Sequence, residues 1–316
     1  MTRTTPARPV DVVGLFPELA RHARTSTRLH PRSGSPTVAD SSVGGPLLWP
    51  ADEPWPTCVG PHEGYGLARP DDERRLRSLV AGAVGRPYTA GESAEVRRIH
   101  ALSHVLDDRP VPLLPVAQFH ARDLPDLFCP DDTDLLQVLW CPLNHPDEEL
   151  PAVRLRWRRA ATVTDALTSP PEPRLVMDDY LPNPCVLHPE QVTEYPPHEA
   201  LPADLADRVE AWDDGRNLYQ FDLSVAPGWK VGGWPAPWTF RDPFPTDCPC
   251  GSPAEALLTI DSYEWDGGNR SWRPVEDEHA PPRSSEPTGV CIARGYTLQV
   301  YRCRRDHTHP PVSMMQ

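Results

Sequence analysis

The chain has 316 residues, 39% of them apolar and 24% charged, with ten Trp, eight Tyr and 42 Pro. That is enough apolar matter for about two domains with cores of their own, and Pro plus Gly stays below the level that marks a disordered chain. The formal net charge of −14 points away from nucleic acid or an anionic membrane as the main partner. It suits a basic partner, although the same charge also simply keeps a chain soluble.

In chain order, the N-terminal segment 1–30 has Arg and Pro scattered through it and no continuous apolar run. It reads as neither a signal peptide nor a spanning segment, which places the chain in the cytoplasm. One short amphipathic stretch, Val12 to Ala23, predicts a helix packed on a first lobe covering 31–159. That lobe is interrupted at 70–107 by an insertion. There Leu76, Leu79, Val80 and Val84 follow the acidic start Asp71-Asp72-Glu73, and Val96, Ile99, Leu102, Val105 and Leu106 follow Gly91-Glu92-Ser93. Both sets have helical spacing and predict two helices covering one face. Val153, Leu155 and Trp157 alternate with Arg154, Arg156 and Arg158, the pattern of a half-buried strand whose arginines face solvent.

A Pro-rich bridge spans 160–222 and holds one helix, opened by Pro202, with Leu205, Val209 and Trp212 on one face and Gly215 beyond its end. A second lobe follows at 223–316, with an exposed, mobile loop expected from Asp266 to Thr288. The two lobes repeat one series of landmarks. Gly44-Gly45-Pro46, Trp55-Pro56-Thr57-Cys58 and Leu136-Gln137-Val138-Leu139-Trp140-Cys141 are answered by Gly232-Gly233-Trp234-Pro235, Phe244-Pro245-Thr246-Asp247-Cys248 and Leu298-Gln299-Val300-Tyr301-Arg302-Cys303. A period above 100 residues implies a duplicated unit and two similar lobes, not a solenoid. The fold class is therefore α+β and β-rich, with a helical insertion in the first lobe.

Eight cysteines in a cytoplasmic chain point to metal or buried thiols before disulfides. Cys248-Pro249-Cys250-Gly251 with Cys303 and His307 offers four soft or borderline ligands in two close pairs, as structural zinc requires. His309 competes with His307 for the last position, and reduced buried thiols are the plain alternative. Cys58, His62, Cys141 and His145 repeat the set more faintly, without a glycine after the cysteines. His100 and His104 are four apart on an expected helix but lack the Glu of a metalloprotease motif, so an ordinary helix surface is the better reading. Acidic runs such as Asp131-Asp132-Thr133-Asp134 and Glu276-Asp277-Glu278 are usually solvated, and together could attract a basic tail. The chain contains no phosphate loop, dinucleotide fingerprint or Gly-x-Ser-x-Gly elbow.

The runs GGPLLWP, LLQVLWCPLNH, KVGGWPAPW, CPCG and LQVYRC resemble the YwqG-like family of uncharacterised bacterial proteins, from about Val43 to His309. That family is related to the programmed cell death protein 2 group of eukaryotes. The resemblance implies a β-rich duplicated fold and, in the eukaryotic relatives, a chaperone-like role that holds a newly made basic ribosomal protein. This chain departs from that pattern in having Cys-x-Cys where Cys-x2-Cys is commoner.

Three functions follow as expectations. The first is a non-enzymatic, monomeric binding protein that cradles a basic segment, with Trp234, Trp238, Trp49 and Trp55 as partner-binding candidates and a structural zinc. The second is a hydrolase with a site around His62, His145 and Asp261. The third is an immunity or regulatory protein that acts by binding.

Overall fold

Short strands separated by Pro and Gly cannot build long layers, and the computed structural model accordingly distributes sixteen strands over four antiparallel sheets among the described residues. The structure describes residues 2–146, 150–236, 247–281 and 283–316. In chain order the strands are β1 (Arg24–Arg28), β2 (Arg32–Ser33), β3 (Ser42–Val43), β4 (Thr57–Cys58), β5 (Leu67–Ala68), β6 (Val111–Pro112), β7 (Leu114–His120) and β8 (Leu135–Trp140). They continue as β9 (Val153–Arg158), β10 (Val176–Met177), β11 (Cys185–Val186), β12 (Glu190–Glu194), β13 (Lys230–Gly232), β14 (Ala254–Asp261), β15 (Thr297–Cys303) and β16 (Val312–Met315). One six-stranded sheet has the order β2-β11-β3-β7-β8-β9, the other β12-β1-β13-β14-β15-β16. The remaining strands form the pairs β4–β6 and β5–β10.

The two large sheets agree in more than order. The β7–β8 ladder slips between Pro115 and Ala117, and the β14–β15 ladder slips between Ala256 and Leu258. Each sheet buries a glutamine on its fifth strand. Gln137 donates to Leu48 O at 2.9 Å, and Gln299 donates to Leu258 O at 3.0 Å while accepting from Thr259 Oγ1 at 2.8 Å. Val138 and Val300 are both fully buried. One hydrophobic cluster runs through both sheets, joining Val116, Phe119 and Trp140 to Val231, Ile260 and Leu298.

The division drawn at residues 30 and 160–222 cuts through these sheets. β1, from the N-terminal segment, pairs with β13 in the second sheet, whereas β2, four residues on, sits in the first. β11, from the bridge, pairs with β3 in the first sheet, whereas β12 pairs with β1 in the second. Each strand pair therefore changes sheets within one tight connection. His30 stands at the first crossing at φ 44°, with its ring nitrogens 3.3 Å from Glu190 and 3.2 Å from Glu264.

The insertion is two helices, α2 (Pro70–Gly82) and α3 (Ala90–His100). Pro70 and three acids occupy the first turn of α2, and Thr89 and Glu92 close a capping box on α3. Leu79 and Ile99 are buried, but α3 stops at His100, so Leu102 and Val105 do not continue its apolar face and are exposed. The N-terminal stretch is a single turn, α1 (Val12–Leu15), and a 3₁₀ turn at Pro17–His22, because Pro17 cannot continue the helix. It packs not on the first lobe but on α4 (Ala203–Asp213), where Phe16 and Leu19 meet Leu205 and Val209 in a separate cluster. The 266–288 loop, expected to be exposed, buries Trp272 at 1% exposure between the guanidinium groups of Arg8 and Arg28. Among the described residues no helix is long and apolar enough to cross a membrane.

β12, β1 and β13 are held by buried charge. Lys230 Nζ lies 2.5 Å from Glu194 Oε1, and neither side chain is exposed. The second carboxylate oxygen accepts Trp234 N–H at 2.8 Å. Removing one partner of such a pair strands the other without solvent. Lys230→Met should therefore lose roughly 3–5 kcal/mol in urea unfolding, and Lys230→Met with Glu194→Gln should recover part of it. A single variant as stable as the parent would show that the pair is dispensable.

Candidate metal centres

The first cluster is assembled from two chain segments that a bridge draws together. Cys58 ends β4, and the chain turns through the cis Gly60–Pro61 peptide to His62. Cys141 follows β8 directly, its N–H bonded to Ala152 O at 3.0 Å. Glu63 and Asn144 then exchange backbone hydrogen bonds of 2.9 and 3.0 Å, which places His62 and His145 side by side with ring centroids 4.9 Å apart. Asn144 is pinned in turn by the Tyr180 hydroxyl at 2.7 Å. The four ligand atoms lie within 4.8 Å of one another, and Cys58 Sγ is 3.2 Å from His145 Nε2.

The second cluster comprises Cys248, Cys250, Cys303 and His309, again within 4.8 Å. Gly251 at φ 77° closes the Cys-Pro-Cys turn, donating to Cys248 O at 2.8 Å. Cys303 ends β15. Cys250 Sγ is 3.7 Å from Cys303 Sγ, and Cys248 Sγ is 3.5 Å from His309 Nδ1. Zinc bound tetrahedrally, with sulfur at about 2.3 Å and nitrogen at about 2.0 Å, sets ligand–ligand edges of roughly 3.3–3.8 Å. The contacts in both clusters fall close to that range.

The histidine of the second cluster corrects the expectation that His307 completes it. Asp306 accepts the backbone N–H of both Thr308 and His309, and this tight turn carries His309, not His307, back to the sulfurs. His309 Nε2 then lies 3.7 Å from the Asp306 carboxylate, the kind of partner that orients a ligating imidazole.

One thiol of each cluster is shifted toward the thiolate, Cys58 in the first and Cys303 in the second, while Cys141 and Cys248 are shifted away from it. The Cys141 thiol hydrogen-bonds Cys58, and with His62 and His145 it holds the Cys58 thiol down to about 5 against the effect of burial. The same bond and burial push Cys141 up. Burial raises Cys303, but the Asp306 and Arg305 amides together with His309 bring it down to about 6. His62 Nε2 is buried with no hydrogen-bond partner, the state of a nitrogen whose lone pair or proton awaits a ligand. All eight cysteines are free of disulfides. The donor set of sulfur and imidazole fits zinc at both clusters.

The other candidates fall elsewhere. His100 and His104 join neither cluster, since α3 ends between them. Trp49 is fully buried and Trp55 is half-buried with Nε1 bonded to Leu113 O at 2.9 Å, so both are core supports and not open contact residues. Trp234 is half-buried under the Arg24 guanidinium at 3.6 Å, and Trp238 lies outside the described residues. Asp261 joins neither histidine cluster. It accepts the backbone N–H of Gly228 at 3.0 Å and of Tyr263 at 3.3 Å, and burial raises its carboxyl to about 6. Compared with known proteins, the chain matches no family model and no curated protein.

Two outcomes are expected. His309→Ala should abolish the thiolate-to-cobalt absorption of the second site while His307→Ala keeps it; the reverse pattern would reinstate His307. Asp261 has a folded pKa above its unfolded one, so its favourable contribution is complete only below the unfolded value and is lost as pH rises through about 6. Asp261→Asn should thus melt higher than the parent at about pH 7.5, with the gap closing by about pH 4. A gap independent of pH would contradict this.

Proposed function

We propose that this chain is a non-catalytic, chaperone-like binding protein whose two halves descend from one duplicated unit, each stapled by a structural zinc, and which holds a basic segment of another protein. The observation that carries this reading is that each cluster offers four protein ligands. A closed set of four serves structure, whereas catalytic zinc keeps a position open for water or substrate. The resemblance to the YwqG-like proteins and their eukaryotic relatives supports the same reading by analogy of motif.

Both the long-range field and one cavity favour a basic partner. The net −14 attracts cations at a distance. A cavity of about 550 Å³ beside α2 is lined by Leu76, Val80 and Val84 together with Asp179 and Glu286. Burial lifts Asp179 to about 6, and the carboxylate of neighbouring Asp178 adds to it. Of the cations lining this cavity, Arg77 is taken up by Glu73 at 2.6 Å, and Arg283 is exposed. A lining of aliphatic and acidic side chains suits a lysine side chain, whose stem is apolar and whose tip is charged.

The test is purification of the tagged protein from its host, followed by binding of the recovered partner in purified form. A single stoichiometric basic protein, bound less tightly by Asp179→Asn with Glu286→Gln, supports the reading. Recovery of no basic partner contradicts it.

A further inference from the structure

Against the overall acidity, one groove is basic. It has a volume of about 340 Å³ and lies between edge strand β9 and the Thr308–Pro311 loop of the other sheet. Its lining includes all four residues from Arg154 to Trp157, together with Pro56, His309 and Pro310. His309, a candidate ligand of the second centre, lines it, and Pro56 stands two residues before Cys58 of the first.

The two arginines are exposed and have no ion pair among the described residues. The third of the series is already committed, because Arg158 binds Glu53 at 2.6 Å and lies over the Trp49 ring at 4.4 Å. Glu53 also feels Arg156, but its carboxylate is occupied by Arg158 through both oxygens. Arg154 and Arg156 share one face of the strand, about 6.8 Å apart along it. Among the described residues β9 pairs only with β8, which leaves the backbone groups of its other edge without a strand partner there. Pro310 and Pro311 on the facing loop have no N–H to donate to that edge.

We propose that this groove binds an extended acidic segment of a partner, added to the free edge of β9 as a further strand, with Asp or Glu at alternate positions meeting Arg154 and Arg156. Backbone pairing supplies affinity in this mode, and side chains of period two supply specificity. The two-residue spacing selects a β-strand ligand, since contiguous acids on a strand point to opposite faces. A long polyanion such as nucleic acid would suffer the repulsion of the whole chain, whereas a short acidic segment meets only the local field. This surface is separate from the acid-lined cavity beside α2, so either can fail without the other.

The experiment is fluorescence anisotropy of zinc-replete protein with a labelled ten-residue peptide of alternating Glu and Thr. Three comparison probes are the same composition with its Glu contiguous, the alternating peptide N-methylated at every second amide, and a single-stranded oligothymidine. The alternating peptide should bind, and the contiguous and N-methylated peptides should bind about tenfold more weakly or less. Arg154→Glu with Arg156→Glu, both exposed, should lose at least about tenfold with an unchanged circular dichroism spectrum. Equal binding of the contiguous peptide or the oligothymidine would overturn the proposal in favour of a plain anion site. So would an unaffected N-methylated peptide, an unaffected double variant or no binding at all. If the double variant misfolds, the N-methylated probe on the parent protein decides alone.

Discussion

Cys141 and Cys303 govern what the rest of the chain must do. Each stands at the end of the fifth strand of a six-stranded sheet, and each needs partners from a segment at least 50 residues away in sequence. Bringing two thiols and two imidazoles, or three thiols and one imidazole, within 4.8 Å is unfavourable without a cation, because thiolates repel and a buried imidazole nitrogen without a partner costs a hydrogen bond. With zinc the balance reverses: metal can supply on the order of 10 kcal/mol, comparable to the whole stability of a domain. The local devices around the clusters, Gly251 in its turn, the Glu63–Asn144 bridge and the Asp306 turn, all serve to present ligands.

A second constraint is the exchange of strands between sheets. Because β1 and β2 lie in different sheets, as do β11 and β12, neither half has a complete sheet of its own. The exchange explains why one hydrophobic cluster runs through both sheets. It also explains the buried charge around β1. Arg28 is fully buried and bonds Thr5, the Trp272 carbonyl and the Glu264 carbonyl, while Lys230 on the neighbouring strand is met by Glu194. Most of the buried polar groups at this crossing find a partner, although Ser26 Oγ and Arg28 Nε do not.

The legible part of the fold was the part written in apolar period and repeated motif. β8 and β15 follow from their matching runs, β9 from its alternation, α2 and α4 from spacing and terminal residues, and both metal clusters from repeated Cys/His pairs. β1 was not legible, since Arg-Thr-Ser-Thr-Arg has no apolar face. Two of its three buried side chains find polar partners instead, Thr27 in the Asp126 carboxylate and Arg28 in the Thr5 hydroxyl and the Trp272 and Glu264 carbonyls. The choice of His309 was partly legible: Asp306 followed by Thr308 is an Asx-type turn signal, which shortens the path from Cys303 to His309. Trp49 misled because a Trp beside Pro reads as an exposed contact, whereas here its ring is covered by Trp55 and Arg158.

The most direct test is native mass spectrometry of protein purified without added metal, repeated after chelation and after selective loss of one cluster. Two zinc ions per chain, one in Cys58→Ser and one in Cys248→Ser, with thermal stability lost on chelation, is the result the two-centre account requires. A metal-free chain with eight titratable thiols and chelator-insensitive melting would contradict it.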